Sequence, residues 1–575
     1  MSHLRPPTRE TDPAATATRV RPGASAAAPA GDPAARTTAP DPAWAPEALR
    51  PGWWRDGVLY QVYPRSFLDT DGDGHGDLPG VAARLPYLRR LGVSGIWMTP
   101  ITASPDADWG YDVSDYLAVH PDFGTSEDAR ELFAQAHEQG VGVLHDVVPN
   151  HTSDRHPWFV DACSSRDARF RDFYVWADAR PDGSPPNNWV SMFGGPAWRW
   201  HAPTGQYYLH NFTPRQPDLN WWDPRVRRAF RTILRHWTGL GVDGFRIDVC
   251  QAIVKDRELR DNPPATAEDR TNVRLRGQRP VYSMNRPEVH DVLRDWRALV
   301  DRHPRRPILL GETNTHDLQA LSRYYGAAGA GPGSELHMAF NFRFMGQPYE
   351  AGPLRSIVAE TERVLPAHAQ PVWTLSNHDG SRYVTRWLGG DQRRVRGALL
   401  LLMSLRGTAM LYYGDELGLG DAPPVPLADA RDPLAHGGLP GKDSRDPCRA
   451  PMPWDDAPHA GFTTGTPWLP AHDPRVTSVA AQERDPDSHL RFTTDLIALR
   501  RARPELHRAP MELPVLADGV LTLRRGPLDC HVNLSGTDVR LPGGHVLLAT
   551  DRADDGTTPD ALRLAPWQGA VVERR

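Results

Sequence analysis

The sequence predicts a parallel (β/α)8 TIM barrel, with an inserted subdomain after the third strand and a small C-terminal all-β domain. Three observations predict it. Eight short apolar runs recur between residues 58 and 417, helical patterns separate them, and short alternating strands take over past residue 510.

In order, the strand runs are VLYQVY (58–63), SGIWMTP (94–100), VGVLHDVV (141–148), VDGFRIDV (242–249), PILLGETN (307–314), HMAFNFRFM (337–345), PVWTLSNHD (371–379) and TAMLYYGDEL (408–417). Their continuous apolar character suits strands buried on both faces. Helical spacing appears at 126–140, 224–241, 288–303 and 393–407, with a last stretch at 495–506 after the eighth strand. A doubly wound open sheet is the alternative, but no glycine-rich phosphate fingerprint follows the first strand. The barrel is the better reading.

Residues 1–48 are rich in Ala, Pro, Thr and Arg and poor in large apolar residues, which predicts a disordered tail. The barrel then falls into two parts, 49–150 and 223–508. They flank a Trp-, Pro-, Asn- and Gly-rich insertion at 151–222 that reads as a small irregular subdomain. A Pro/Asp/Gly-rich stretch at 418–477 is too long for an idle connection. Residues 509–575 carry the strands VLTLRR, CHVNLS, HVLLAT and GAVVER, read as a β-sandwich domain.

The net charge of −5 offers nothing to nucleic acid or to an anionic membrane. No apolar run reaches the roughly 18 residues of a membrane span, and the N-terminus lacks the apolar core of a secretory signal. The four cysteines, Cys163, Cys250, Cys448 and Cys530, show no metal or redox spacing and read as free thiols. A cytoplasmic enzyme is the expectation. Of 66 cationic residues only Lys255 and Lys442 are lysines, a compositional bias rather than a functional signal.

Chemistry in such barrels sits at the C-terminal ends of strands. Those ends supply Asp146, Asn150 and His151 (third), Arg246 and Asp248 (fourth), Glu312 (fifth), and Asn377, His378, Asp379 and Arg382 (seventh). Carboxylates, histidines and arginines converging on one mouth, in a chain with 19 tryptophans, suit sugars, whose rings offer apolar faces as well as hydroxyls.

Residues 69–77, DTDGDGHGD, begin like an EF-hand with Gly74 at the sixth position, but the twelfth is Gly80 rather than Glu. A complete EF-hand is excluded. A shorter oxygen-ligand loop for a hard cation and a solvated Asx/Gly turn both remain.

Four blocks, DVVPNH (146–151), GFRIDV (244–249), GETN (311–314) and SNHDGSR (376–382), resemble in order the four sequence regions of the α-amylase family, glycoside hydrolase family 13. Within it the resemblance is to the α-glucosidase and oligo-1,6-glucosidase branch, over about residues 53–500. It implies a retaining, exo-acting α-glucosidase that works on small oligosaccharides or disaccharides. Asp248 would be the nucleophile, kept ionised by Arg246, Glu312 the general acid/base, and Asp379 the stabiliser of the oxocarbenium-like transition state. His151 and His378 would bind the same glucose. The segment DWGYD (108–112) matches the family's Asp-x-Gly-Tyr-Asp, so Tyr111 would stack on the sugar, and Asp108 paired with Arg382 would close the pocket.

The branch also carries a one-cation loop after the first strand. Here Asp69, Asp71, Asp73, Asp77 and the carbonyl of His75 would hold a structural Ca2+, with Mg2+ as the alternative. The segment SRDPCRAPMPW (444–454) resembles the branch's loop after the eighth strand, departing from it at Ala450 and Pro453. Val249 accompanies α-1,6 preference in some relatives and other preferences elsewhere, so it leaves linkage open. Trehalose synthase, or another α-glucosyl transferase with the same three acids, is the alternative. A non-catalytic binding subunit is disfavoured because Asp248, Glu312 and Asp379 are all present.

Overall fold

The computed structural model describes residues 49, 52–315, 317–326, 333–437, 444–473 and 477–575. The expected tail 1–48 lies outside the described residues. Eight parallel strands close a barrel: β1 (Val58–Val62), β2 (Gly95–Met98), β3 (Gly142–Val147), β4 (Gly244–Ile247), β5 (Ile308–Gly311), β6 (Met338–Phe340), β7 (Gln370–Thr374) and β8 (Thr408–Tyr412), with β8 pairing back onto β1. All eight runs read from the sequence are barrel strands.

The barrel interior is packed. Leu59, Trp97, Leu144, Leu310, Phe340, Val372 and Met410 fill it, and Trp53 and Trp54 pack against them. The Trp53 ring covers the starts of β2 and β3, where a Cβ on Gly95 would lie 2.2 Å from it and one on Gly142 2.6 Å. Only glycine leaves that plug its room.

The outer helices obey their local signals. Thr125 and Asp128 form a reciprocal capping box ahead of Ser126–Glu138. Asp223 caps Pro224–Leu240, and Gly241 ends it. That helix turns Val226, Phe230, Ile233, Leu234 and Trp237 to the core at three-to-four spacing.

The insertion after β3 holds a three-stranded sheet of Trp176–Ala177, Gln206–Leu209 and Trp198–His201 around Trp189, Trp198 and Leu209. The C-terminal region is a five-stranded antiparallel sheet facing a two-stranded ribbon, Val539–Pro542 with Ala561–Leu564. One face of the sheet packs Val520, Val546 and Val572 on the ribbon's Leu541, Leu562 and Leu564. The other face gives Leu521, Leu523, Cys530, Val532 and Val571 to the main core. Both faces are buried, which makes this small domain an extension of the barrel's packing.

Candidate active site

One guanidinium organises the acids at the barrel mouth. Arg246 on β4 is in register with Asp146 on β3 and Leu310 on β5. Its Nη1 donates to both oxygens of Asp146 at 3.0 Å and to Asp248 Oδ1 at 2.6 Å. Its Nη2 donates to Glu312 Oε2 at 2.6 Å. The face of Trp97 lies beneath it, with the guanidinium carbon 4.7 Å from the ring centroid. Trp97 Nε1 and Tyr111 Oη each donate to Asp146 Oδ2 at 3.1 Å.

Three buried carboxylates thus share one cation. Burial pushes Asp146 up to about 7 against the pull of Arg246. Burial also raises Asp248 well above its ordinary value; Arg246 opposes the shift, while Glu312 and Asp146 add to it. Arg246 thus favours the ionised form of Asp248, as expected, against burial and the two neighbouring carboxyls.

The chain bends sharply after Asp248. Val249 has a φ of +33° and a ψ of +48°, a left-handed conformation that is costly for a β-branched residue. The bend aims the Val249 N–H at Glu312 Oε2, 2.9 Å away. Backbone strain here positions the second acid.

Asp379, after β7, faces a different set. Arg445 Nη1 donates to its Oδ1 at 3.0 Å, Arg449 Nη2 lies 3.5 Å from the same oxygen, and His378 Nε2 lies 3.4 Å from Oδ2. Burial opposes its charge, but His378, Arg445, Arg449 and Arg246 together hold the carboxyl below its ordinary value. With 36 % of its side chain exposed, it is the most open of the three acids. Burial drives the His378 imidazole well down, against the pull of Asp379. Its ring stacks on Tyr111 at 5.3 Å and 6°, and its two nitrogens meet Gln61 Nε2 and Tyr111 Oη, each at 2.8 Å.

Arg445 closes the far end. Nη2 donates to Asp108 Oδ1 at 2.9 Å, and Asp432 grips the same guanidinium through Nε and Nη2. Gln216 Nε2 reaches Asp108 Oδ2 at 3.1 Å and His151 Nε2 at 3.1 Å. The acids of the barrel mouth thus meet, at Asp379 and Asp108, a salt-bridge network centred on Arg445.

The comparisons with known proteins agree with this geometry. Residues 61–509 match the family described as alpha amylase, catalytic domain. The chain belongs to the α-amylase family. It is similar to a "Probable alpha-glucosidase" of Rhizobium meliloti (strain 1021), 44 % identical over 474 residues, 80 % of this chain and 84 % of the relative. It is 33 % identical over 572 residues to an "Oligo-1,6-glucosidase" of Parageobacillus thermoglucosidasius, covering 91 % of this chain and 99 % of the relative. Among solved structures, the α-glucosyl transfer enzyme XgtA superposes with a TM-score of 0.84 at 41 % identity, covering 91 % and 99 % of the two chains. The trehalulose synthase MutB of Pseudomonas mesoacidophila MX-45 follows at 0.82 and 30 %, over 91 % and 99 %.

For an α-amylase family member, one expected contact is corrected. Arg382 does not reach Asp108. It is fully buried, donates to Tyr413 O at 2.7 Å, and packs over the Tyr412 and Tyr413 rings 4.0 Å from Asp415. Arg445, inside the quoted SRDPCR segment, makes the pairing instead. The loop after β8 folds back across the mouth, and neither periodicity nor motif order shows which of its arginines points inward. Asp432 and Arg449 were missed for the same reason, and Gln216 because it lies in the irregular insertion.

His151 sits with Nε2 2.9 Å from Tyr111 O and Nδ1 3.0 Å from Asn150 Nδ2; burial pushes it down to about 4. Lys255 lies beneath. Its ammonium reaches Asn150 Oδ1 at 2.5 Å, Asp218 Oδ2 at 2.9 Å and the carbonyl of Ala252.

The aspartate loop follows β1. Carboxylate oxygens of Asp69, Asp71 and Asp77 lie within 4.8 Å of one another. One hard cation with oxygen ligands at about 2.3–2.6 Å spans that separation, so the donor set fits Ca2+. Asp73 falls outside the trio, accepting from His75 N at 2.8 Å. The His75 ring turns away to Arg65 Nη1 at 2.7 Å and to Trp468. Gly74 is obligatory: its φ is +96°, and a Cβ would lie 2.0 Å from Thr466 O. Thr463 Oγ1 donates to Asp69 Oδ2 at 2.5 Å, so the loop is tied to the segment after β8. A second acidic group, Asp106, His120 and Asp122, is already neutralised by Arg65 at 2.9 and 3.1 Å.

Proposed function

We propose that this glycoside hydrolase is a retaining, exo-acting α-glucosidase that removes single α-glucose units from the non-reducing end of short α-glucosides. The observation that carries the exo reading is the Asp108–Arg445–Asp379 network, held by Asp432, which would close the pocket beyond one glucose. A cleft open at both ends would accept an internal bond; a blocked one accepts a chain end.

Asp248 attacks C1 of the bound glucose while Glu312 gives its proton to the leaving oxygen. Water then enters on the same face, passes a proton to Glu312 and releases glucose with the anomeric configuration kept. Holding both carboxyls on the two ends of one guanidinium suits the roughly 5–5.5 Å spacing of retaining enzymes. Arg246 Nη2 steadies the carboxylate that Glu312 becomes as its proton leaves, and Asp379 faces the oxocarbenium-like centre. Tyr111, stacked on His378, offers the ring against which the sugar lies. Asp69, Asp71 and Asp77 would hold a structural Ca2+, or Mg2+, which would neutralise the loop near the mouth. Four unpaired cysteines support a reducing, cytoplasmic setting, and among the described residues no helix is long and apolar enough to cross a membrane.

Transfer of the glucosyl group to another sugar is the second reading, favoured by the likeness to an α-glucosyl transfer enzyme. Incubation with maltose, isomaltose, sucrose, trehalose and maltotriose, followed by chromatography, separates the two. From sucrose, glucose equal to the fructose released supports hydrolysis, and fructose in excess of glucose, or new saccharides in place of both, supports transfer. Asp248→Asn should abolish both activities, and an inert wild type would overturn the enzymatic reading.

A further inference from the structure

His378 is gripped at both ring nitrogens. Gln61 on β1 brings its amide Nε2 to 2.8 Å from His378 Nδ1, and Tyr111 Oη lies 2.8 Å from His378 Nε2. Gln61 is in register with Trp97 on β2 and Tyr412 on β8, so two neighbouring strands set where its amide stands. All three residues of this chain of contacts are buried, where an unmatched donor or acceptor is costly.

The bonding capacities of the two ends admit one position for the ring proton. An amide nitrogen only donates, so Nδ1 must offer a lone pair. At the other end Tyr111 Oη donates to Asp146 Oδ2 at 3.1 Å, an oxygen that also takes Arg246 Nη1 at 3.0 Å and Trp97 Nε1 at 3.1 Å. The phenol has one proton and spends it there, so its oxygen accepts from His378. The bonds therefore run one way, from Gln61 through His378 and Tyr111 to Asp146. They are satisfied by the imidazole tautomer that carries its proton on Nε2.

That proton faces the chemistry. Asp379 Oδ2 lies 3.4 Å from Nε2, and Tyr111 stacks on the imidazole at 5.3 Å. A lone pair at Nε2 would point at the Asp379 carboxylate and repel it, whereas a proton there supports its charge. The other charged and titratable groups around the ring bear on how many protons it holds. Asp379 favours a second proton, and burial, Arg449, Arg246 and Arg445 oppose it. Arg449 Nε donates to the His378 carbonyl at 2.8 Å, and the Tyr63 ring stands 6.0 Å from the imidazole. None of these bonds Nδ1; among the described residues Gln61 alone does.

We propose that Gln61 is a positioning residue of this enzyme: it fixes the His378 tautomer so that the Nε2 proton faces Asp379 and the glucose site. It touches no reacting atom and acts only through His378. The inference rests on the α-glucosidase reading and adds a residue to that reading's site.

The test is a double-mutant cycle in the full chain, read as kcat/KM on p-nitrophenyl α-glucoside. Gln61→Met keeps the side chain's length and donates nothing, so it should lower kcat/KM by about tenfold or more. His378→Gln places an amide N–H where Nε2 stood and has no tautomer to choose. In that background Gln61→Met should cost less than about threefold, because its effect has lost its route. Gln61→Glu gives a separate reading from pH. Its carboxylate draws the ring proton to Nδ1, so a proton on Nε2 exists only in the imidazolium. The alkaline limb of log kcat/KM should steepen from a slope of about −1 in wild type and Gln61→Met toward about −2 in Gln61→Glu. A merely structural role for Gln61 moves neither quantity, and thermal melts confirm that each variant is folded. Equal costs of Gln61→Met in the two backgrounds, or a Gln61→Glu limb parallel to wild type, overturn the inference and leave the α-glucosidase reading intact. A wild type that releases no nitrophenol removes the reading and the inference with it.

Discussion

Arg445 Nη2 stands 2.9 Å from Asp108 Oδ1, and the same guanidinium reaches Asp379 at 3.0 Å through Nη1. One side chain from the loop after β8 therefore closes the pocket and orients a catalytic acid. Arg445→Ala should lower kcat/KM on maltose on the order of a hundredfold, about 2.7 kcal/mol of transition-state stabilisation. It should also let longer chains be cut internally. Product lengths from maltoheptaose check this; activity and exclusive glucose release unchanged in the variant would refute the pocket-closing role.

Arg246 spends both terminal nitrogens on three carboxylates, a task that a point charge on a flexible stem cannot copy. Arg246→Lys should reduce kcat by about 10²–10³ and change KM much less, because the Nη2 bond to Glu312 strengthens as that carboxyl gives up its proton. Steady-state kinetics on p-nitrophenyl α-glucoside decide it; a rise in KM alone would place Arg246 in ground-state binding.

His156 caps the helix Pro157–Ala162 by accepting from Trp158 N at 3.1 Å through Nδ1, so the ring nitrogen must be unprotonated. Burial lowers it from 6.5 to about 3. The unfolded chain binds the proton more readily, so this stability is complete above pH 6.5 and is lost as pH falls toward 3. The slope is at most about 1.4 kcal/mol per pH unit. His156→Asn keeps an acceptor without the titration. The stability gap between wild type and variant, from denaturant melts at pH 7, 5.5 and 4.5, should shift in the variant's favour with acid; a gap independent of pH counts against the assignment.

The trio Asp69, Asp71 and Asp77 brings three carboxylates within 4.8 Å, a repulsion that a bound cation would relieve. Exhaustive chelation should lower the melting temperature by several degrees, and Ca2+ should restore it, without abolishing glucose release at low temperature. Asp69→Asn/Asp71→Asn should melt lower and stop responding to chelator. A wild type whose melting ignores chelation would sink the site.

What was legible in the sequence follows physical locality. The eight strands are apolar runs, and the acids Asp248, Glu312 and Asp379 sit at their ends, where strand direction alone delivers them to one mouth. Arg382 was assigned wrongly because it turns onto Tyr412 and Tyr413 at the end of β8, and Arg445 was missed because a long irregular loop places it. A sequence shows Arg246 beside Asp248 but not Asp146 and Glu312 crowding the same guanidinium, nor the burial of the group.

Lys255 is the one lysine among the described residues, and its three acceptors belong to three segments: Asn150 at the end of β3, Asp218 in the insertion and Ala252 just after Asp248. An ammonium has three protons, and each finds a partner. The insertion and the loop after Asp248 are thus mortised to the barrel at a single atom. Grafting a foreign insertion onto this scaffold to alter specificity would leave that joint unfilled, so a successful transplant has to carry its own partner for Lys255.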